Sequence, residues 1–158
     1  MRRGFTMIEL IFVIVILGIL AAVAIPKLAA TRDDAKISKL SANVSTLVSD
    51  AAAYYTSQGQ ANWNSANWPD ITNVELYTDQ TGTTPAKTTA VAGSTVYIVA
   101  DPGASTASDC FKITTTTDGN LTIDTNGTAT SNSVCVGAQQ LAADLIKTHT
   151  FGGQRIAR

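Results

Sequence analysis

The sequence is poor in the residues from which most enzyme sites and nucleic-acid surfaces are built. Charged residues make up only 15% of the 158 residues, and 11 Lys and Arg against 12 Asp and Glu give a net charge of −1. No nucleic-acid partner is predicted, because this charge balance does not indicate a strongly basic surface. The single histidine, His149, has no evident triad partner, and the sequence has no GxSxG, HExxH, CxxC or Walker A pattern. We therefore predict neither an enzyme nor a bound cofactor.

Cysteine is scarce as well, and the abundant polar residues are uncharged. Cys110 and Cys135 are the two cysteines, so the chain forms one disulfide at most. Threonine (23), serine (11) and asparagine (8) are common. This composition favours strands and turns over charged clefts.

The apolar residues are concentrated near the start of the chain. The sixteen residues 10–25 carry no charged or polar side chain, and extension back to Phe5 adds only Thr6 and Glu9 as interruptions. As a helix, residues 5–25 cover roughly 31 Å, which matches the hydrocarbon thickness of a bilayer. A secretory signal peptide cleaved near Ala24 is the competing interpretation. Glu9 argues against it, because a carboxylate in an apolar segment is costly unless it is paired.

The residues at the start of this run stand in a distinctive order. A short basic leader ends in Gly4, Phe5 follows, a glutamate lies at position 9, and the apolar run continues to Pro26. This order resembles the N-terminal processing and methylation segment of type IV pilins and type II secretion pseudopilins. The resemblance implies a structural filament subunit, a prepilin that polymerises through its N-terminal helix into a type IV pilus. A type II secretion major pseudopilin is the alternative, and a secreted binding domain released by signal-peptide cleavage is an alternative from another class.

The resemblance also implies how the chain is processed and where it lies. A prepilin peptidase would cleave between Gly4 and Phe5, and the new amine of Phe5 would be methylated. The subunit would cross the bacterial inner membrane once, with its N-terminus in the cytoplasm and its head in the periplasm. It would then enter an extracellular filament or a periplasmic pseudopilus. The implied partners are sister subunits, membrane lipid, and an inner-membrane assembly platform with its ATPase.

Four residues of the N-terminal segment, Phe5, Glu9, Gly18 and Pro26, are expected to act in assembly. The carboxylate of Glu9 needs a cation, and the nearest one in a filament is the amine of Phe5 on a neighbouring subunit. Alternatively, Glu9 is buried in its protonated form or bonds only the N-terminus of its own helix. Gly18 and Pro26 both weaken a helix, and by the family resemblance they mark where it loosens on assembly. A straight membrane helix is the alternative.

After Pro26 the pattern becomes amphipathic. Apolar residues recur at spacings of three and four along one helical face, and they are Ile37, Leu40, Val44, Leu47, Ala51 and Tyr54. We expect this face to pack on the chain's own sheet rather than in a coiled coil. Because Gly and Pro are absent from residues 28–58, the helix is predicted to continue to Gln58 and Gly59.

The remaining residues read as a sheet domain with a long connection. Residues 59–94 are predicted to be a loop in which Trp63 and Trp68 act as packing anchors, with a ligand-binding aromatic pair as the alternative. Strands are predicted at residues 95–100, 110–116, 121–124 and 133–136, with tight turns at Asp118-Gly119 and Asn126-Gly127. A short helix over residues 138–147 and a polar tail from residue 151 complete the chain.

Cys110 and Cys135 are expected to form a disulfide, since the head would face an oxidising compartment. In a simple meander, however, the two residues lie two strands apart, which is too far for a disulfide. Either residues 126–137 loop back to Cys110, as in the C-terminal disulfide loop of a pilin, or both thiols are free.

Two weaker signals lie in the same region. Asn120 and Asn126 each fit an N-x-Thr glycan acceptor with an acid two residues earlier, although the tight turns explain the same residues. The oxygens there could also supply a calcium site, but the spacing fits an EF-hand poorly. The expected cofactor is therefore none, with calcium as the minor alternative.

Together these patterns predict an α+β pilin fold, in which a long N-terminal helix packs on a roughly four-stranded antiparallel sheet. The predicted segments are a leader (1–4), a membrane or filament-core helix (5–26), an amphipathic helix that continues into the head (27–58), and a sheet head with a C-terminal loop and short helix (59–158).

Overall fold

The computed structural model describes residues 4–125 and 132–152, with the backbone alone described for residues 25–30. The chain forms two compact units, Met1–Ala35 and Lys36–Arg158. We call the second unit the head. The first unit is helical from Met7 onward, and the head combines helices with a four-stranded sheet, so the fold is α+β as the sequence predicts.

One helix, α1, runs from Met7 to Ser65 and is interrupted at a single residue. Gly59 has φ 76° and ψ 175°, a backbone conformation that residues with a Cβ rarely adopt. The sequence predicts a stop at this glycine and a loop after it, but helical geometry resumes and continues to Ser65. The resumed turn is tied to the residues before the break, because Asn62 Nδ2 donates a hydrogen bond to the Gln58 carbonyl at 3.0 Å.

The head uses the amphipathic face of α1 as one wall of its core. Four residues of the predicted face are buried, and Ile37 and Tyr54 pack partly buried at its edge. The four are Leu40, Val44, Leu47 and Ala51. The three- and four-residue spacing is therefore satisfied by packing within one chain, as predicted.

The sheet forms the other wall of the core. Its strands are β1 (Thr95–Val99), β2 (Asp109–Thr115), β3 (Asn120–Thr125) and β4 (Thr148–Thr150), in the order β1-β2-β3-β4. All neighbouring strands are antiparallel, and Val96, Ile113 and Ile123 lie side by side across β1, β2 and β3. All three are fully buried. Side chains alternate along a strand, so this register aims one face of the sheet at α1.

The predicted fourth strand at residues 133–136 is wrong. These residues begin a helix, α3 (Ser133–Leu141), and a 3-10 turn follows at Ala143–Leu145. Asn132 starts α3, because its side-chain oxygen accepts hydrogen bonds from the backbone N–H groups of Val134 (3.0 Å) and Cys135 (3.4 Å). Strand β4 instead lies at Thr148–Thr150, between the predicted short helix and tail. A four-residue apolar run does not distinguish a strand from the first turn of a buried helix.

The helical position of Cys135 removes the obstacle to the disulfide. Because α3 packs over β2, Cys110 and Cys135 have a Cα–Cα distance of 4.8 Å and are joined by a disulfide, as expected. Both cysteines are fully buried. Gln139 adds a second tie between the elements, since its side-chain Nε2 donates to the Cys110 carbonyl at 2.7 Å.

The turn between β2 and β3 closes against the end of α1. A tight turn is present as predicted, but its central residues are Thr117 and Asp118, because the Gly119 N–H donates to the Thr116 carbonyl at 3.3 Å; Gly119 has φ 78°. A Cβ at Gly119 would lie 2.1 Å from the Tyr55 ring, so only glycine fits there. The Trp63 indole packs edge-on against Tyr55 and donates to the Thr116 carbonyl at 2.9 Å. The second predicted turn, Asn126-Gly127, lies outside the described residues.

The connection between α1 and β1 is more ordered than a plain loop. It contains a short helix, α2 (Trp68–Ile71), and its Tyr77 pairs with Tyr97 of β1 through two backbone hydrogen bonds of 3.0 and 2.8 Å. Trp63 and Trp68 are both buried, in agreement with their predicted role as packing anchors.

Asp79 organises the tightest bend of this connection. Its carboxylate accepts hydrogen bonds from the backbone N–H groups of Thr81, Thr83 and Thr84 and from the hydroxyls of Thr81 and Thr83, at 2.6–3.0 Å. These donors hold the pKa of Asp79 well below its ordinary value, with the Thr83 N–H as the largest cause and partial desolvation acting in the opposite direction.

We expect removal of the disulfide by the double substitution Cys110→Ala and Cys135→Ala to lower the free energy of unfolding of the head by about 3 kcal/mol. The bridge joins residues 25 apart in sequence, and cross-linking a loop of that size restricts the unfolded chain. Denaturant unfolding of the full chain in detergent, followed by tryptophan fluorescence, measures this, because both tryptophans lie in the head. An unchanged midpoint would contradict the stabilising role.

Asp79→Asn should weaken the acid sensitivity of the head. The carboxylate has a lower pKa when folded, so its stabilisation is complete above about pH 4, the pKa of an unfolded aspartate, and is lost as pH falls below it. The wild-type melting temperature should therefore fall more steeply between about pH 5 and pH 2 than that of the variant. Asp124→Asn is the matched control, since it replaces an exposed carboxylate outside this bend. Identical pH profiles for wild type and Asp79→Asn would contradict this account.

Candidate assembly site in the N-terminal helix

The N-terminal part of α1 exposes an apolar surface of a kind that folded domains normally bury. The window Met7–Ala24 has a mean hydropathy of 2.9 and none of its 18 residues is buried. Even Ile16, its least exposed large side chain, keeps 40% of its surface accessible. At 1.5 Å per residue these 18 residues cover about 27 Å, so the helix is long and apolar enough to cross a bilayer.

The helix starts with a reciprocal pair of side-chain caps. The Thr6 backbone N–H and hydroxyl both donate to Glu9 Oε2, at 2.8 and 2.7 Å, and the Glu9 backbone N–H donates to Thr6 Oγ1 at 3.4 Å. The Thr6 carbonyl accepts the first helical bond, from the Leu10 N–H at 3.2 Å. This is a capping box, which satisfies N–H groups that would otherwise lack a partner at a helix start.

Thr6 is the functional residue that the sequence analysis missed. The signal was present, because Thr6-Met7-Ile8-Glu9 fits the T-x-x-E pattern directly before an apolar run. The capping box agrees with one of the two alternatives for Glu9, a bond to its own helix start. Among the described residues, Glu9 Oε1 accepts no hydrogen bond, so one carboxylate oxygen is open to a further donor.

Gly4 and Phe5 precede the helix and are accessible. Both lie outside regular secondary structure, and Phe5 is 85% exposed. The peptide bond between them is two residues from the first helical residue, Met7. The peptide bond at the predicted cleavage position is therefore uncovered within this chain. The basic residues of the leader, Arg2 and Arg3, lie outside the described part of the chain.

Gly18 and Pro26 lie far along α1 from Glu9 and do not form a common site with it. The backbone of α1 is helical at both positions, and Gly59 is its one non-helical residue. A Cβ at Gly18 would meet no atom within 4 Å, so the helix surface there is open to a close neighbour. The predicted loosening between these residues refers to the assembled state and stays a prediction.

The head offers no comparable chemical centre in its described residues. No three His, Cys, Asp or Glu side chains among them come together as a metal site. His149 Nε2 lies 2.9 Å from the Leu145 carbonyl, and Asp118 Oδ1 accepts a hydrogen bond from Gln60 Nε2 at 3.3 Å. Asn120 is half-buried at the start of β3, while Asn126, the other glycan candidate, lies outside the described residues.

The comparison with protein families agrees with the N-terminal geometry. Residues 1–25 match the family model described as the prokaryotic N-terminal methylation motif, which covers Gly4, Phe5 and Glu9. No curated protein and no solved structure matches the chain. The motif belongs to structural subunits rather than to a class of enzymes. Residues 1–25 therefore carry the prepilin-type signal of type IV pilins and pseudopilins, and the apolar helix within them is exposed.

Proposed function

We propose that the protein is the structural subunit of a type IV pilus, anchored in the inner membrane as a prepilin and polymerised through α1 after cleavage behind Gly4. The observation that carries this proposal is the apolar helix Met7–Ala24, none of whose residues is buried and which lies within the matched methylation motif of residues 1–25. Such a surface is stable only in lipid or against other apolar helices. A helical bundle of sister subunits supplies the second environment.

Each segment of the chain has a role in this proposal. Residues 1–4 are the leader, residues 5–26 anchor the prepilin and later form the filament core, and residues 27–58 carry the helix into the head. Residues 59–158 form the filament surface. A prepilin peptidase removes the leader, and an assembly platform with its ATPase drives polymerisation, since the sequence has no phosphate-binding loop of its own.

Glu9 sets the axial fit between subunits in this proposal. A carboxylate in an apolar environment is costly, and a neighbouring cation can offset that cost. Thr6 engages only Glu9 Oε2, so Oε1 is available for the methylated amine of Phe5 on a neighbouring subunit. The capping box and the intersubunit pair are therefore compatible, and they use different oxygens of one carboxylate.

Gly18 and Pro26 allow the helix to adapt when it leaves lipid. Both residues lower helix stability, and the absence of a side chain at Gly18 lets another helix approach its backbone closely. We propose that the segment between them loosens in the filament.

A pilus is favoured over a type II secretion pseudopilus by the disulfide between Cys110 and Cys135. It ties the C-terminal part of the head to β2, as the resemblance to pilins implies for a C-terminal disulfide loop. In this proposal the mature filament is extracellular. Immunogold labelling of intact cells distinguishes the two, because a pseudopilus stays in the periplasm.

Glu9→Gln should abolish filament incorporation while leaving the membrane anchor intact. Glutamine keeps the oxygen that accepts from Thr6, so the capping box survives, but it lacks the charge that attracts the neighbouring amine. We expect a drop of about 100-fold or more in the pilin content of sheared filaments, because breaking a buried ion pair is strongly destabilising. Quantitative immunoblots of the sheared and membrane fractions measure both pools.

Asp124→Asn is the control, since it removes an exposed carboxylate of β3 in the head and should leave filament yield unchanged. Normal filament yield from Glu9→Gln would show that charge pairing at this residue is not required, and the proposed role of Glu9 would then be wrong.

The mature chain should begin at Phe5 with a methylated amine. Intact-mass spectrometry and N-terminal sequencing of the membrane or filament pool check this directly. Cleavage by an ordinary signal peptidase would instead leave a mature chain that begins at about Ile25 and lacks the apolar helix. That product would contradict the filament proposal and support the secreted binding domain.

A further inference from the structure

The surface of the head has one unpartnered large apolar side chain within its described residues. Leu141, the last residue of α3, is 63% exposed, whereas the other large exposed apolar residues all lie between Phe5 and Val23. The inward side of α3 is formed by Val134, Cys135 and Ala138, which are buried. Leu141 therefore projects away from the core of its own head.

A separate apolar groove lies on the connection between α1 and β1. It has a volume of about 580 Å³, within the range of small-ligand pockets. Its walls are mainly apolar and include Trp68, Val74, Leu76, Tyr77, Pro85 and Ala86. Charged side chains of Glu75 and Lys87 stand exposed at its rim.

Leu141 and the groove lie on different elements of the head. The groove is built around Tyr77, which pairs with the outer edge of β1. From Leu141 the chain passes through the 3-10 turn to β4, the strand at the other edge. Leu141 remains exposed, so it does not fill the groove of its own head.

The charges around the two features are complementary. Asp144 and Lys147, both exposed, follow Leu141 closely in the sequence. The groove rim carries Lys87 and Glu75. A neighbouring head can therefore place Asp144 near Lys87 and Lys147 near Glu75. Complementary charges of this kind orient two surfaces and disfavour other arrangements.

We infer that Leu141 of one head inserts into the groove of the next head along the filament. This inference rests on the proposed function, because a contact between two different patches of identical chains is heterologous and builds an open helical array. The occupant of the groove is thus a second copy of this chain. The contact supplements the packing of the N-terminal helices and sets the rotation of one head against its neighbour.

Cysteine cross-linking in filaments tests the contact. Leu141→Cys is combined with Asn73→Cys, an exposed position that lines the groove, in the full chain expressed in its native host. The native cysteines are both fully buried in their disulfide, so the added thiols are the reactive ones. We expect oxidised filaments to give a ladder of covalent multimers on non-reducing gels.

The matched control combines Leu141→Cys with Thr117→Cys, which is exposed in the turn between β2 and β3 and away from the groove. The inference would be overturned if the wild-type chain forms filaments but the Asn73 pair gives no ladder, or if the Thr117 pair gives an equal ladder. Either result would leave the proposed function in place. Absence of filaments from the wild-type chain would overturn both. A groove filled by another segment of the same chain would also give no ladder.

A charge reversal provides an independent readout. Lys87→Glu should lower filament yield about 10-fold at low salt by placing like charges at the contact, and adding Asp144→Lys should restore it. Leu141→Ser should reduce the yield at least about 10-fold, while Gln140→Ser, its exposed neighbour, should not. Failure of the double reversal to rescue, together with normal yield from Leu141→Ser, would overturn the contact.

Discussion

The constraint on which this molecule depends is that the apolar helix Met7–Ala24 needs an apolar environment on every side. Its apolar side chains surround the helix, so no single packing surface could cover them. A helix that is apolar all round requires either lipid or several neighbouring helices. The proposed function uses this property twice, with the helix as a membrane anchor before assembly and as part of the filament core after it.

The polar groups at the start of α1 are arranged to meet that constraint. Backbone N–H groups at a helix start have no helical partner, and in an apolar environment each one is costly. Thr6 and Glu9 satisfy some of these groups within the chain, and Glu9 Oε1 accepts no hydrogen bond from the described residues. The head is built on a different principle, with one face of α1 and one face of the sheet enclosing a core that a buried disulfide reinforces.

Much of this could be predicted from the sequence because long periodic patterns are strong signals. The apolar run, the face from Ile37 to Tyr54 and strands β1 to β3 follow from spacing alone. The strand predicted at residues 133–136 is wrong, because Asn132 caps a helix there and a short apolar run does not reveal it. The segment Thr148–Thr150 is too short to show alternation, and its pairing with β3 depends on tertiary contacts. The capping role of Thr6 was predictable from the T-x-x-E pattern, which lies within the methylation segment.

The most direct test of the central claim is a cryo-EM reconstruction of filaments assembled from the full-length chain. The account predicts that the Met7–Ala24 helices pack against each other along the filament axis, out of contact with water, and that residues 36–158 form the outer layer. A particle in which these helices are absent, or lie on the outside while the heads make the core, would contradict it.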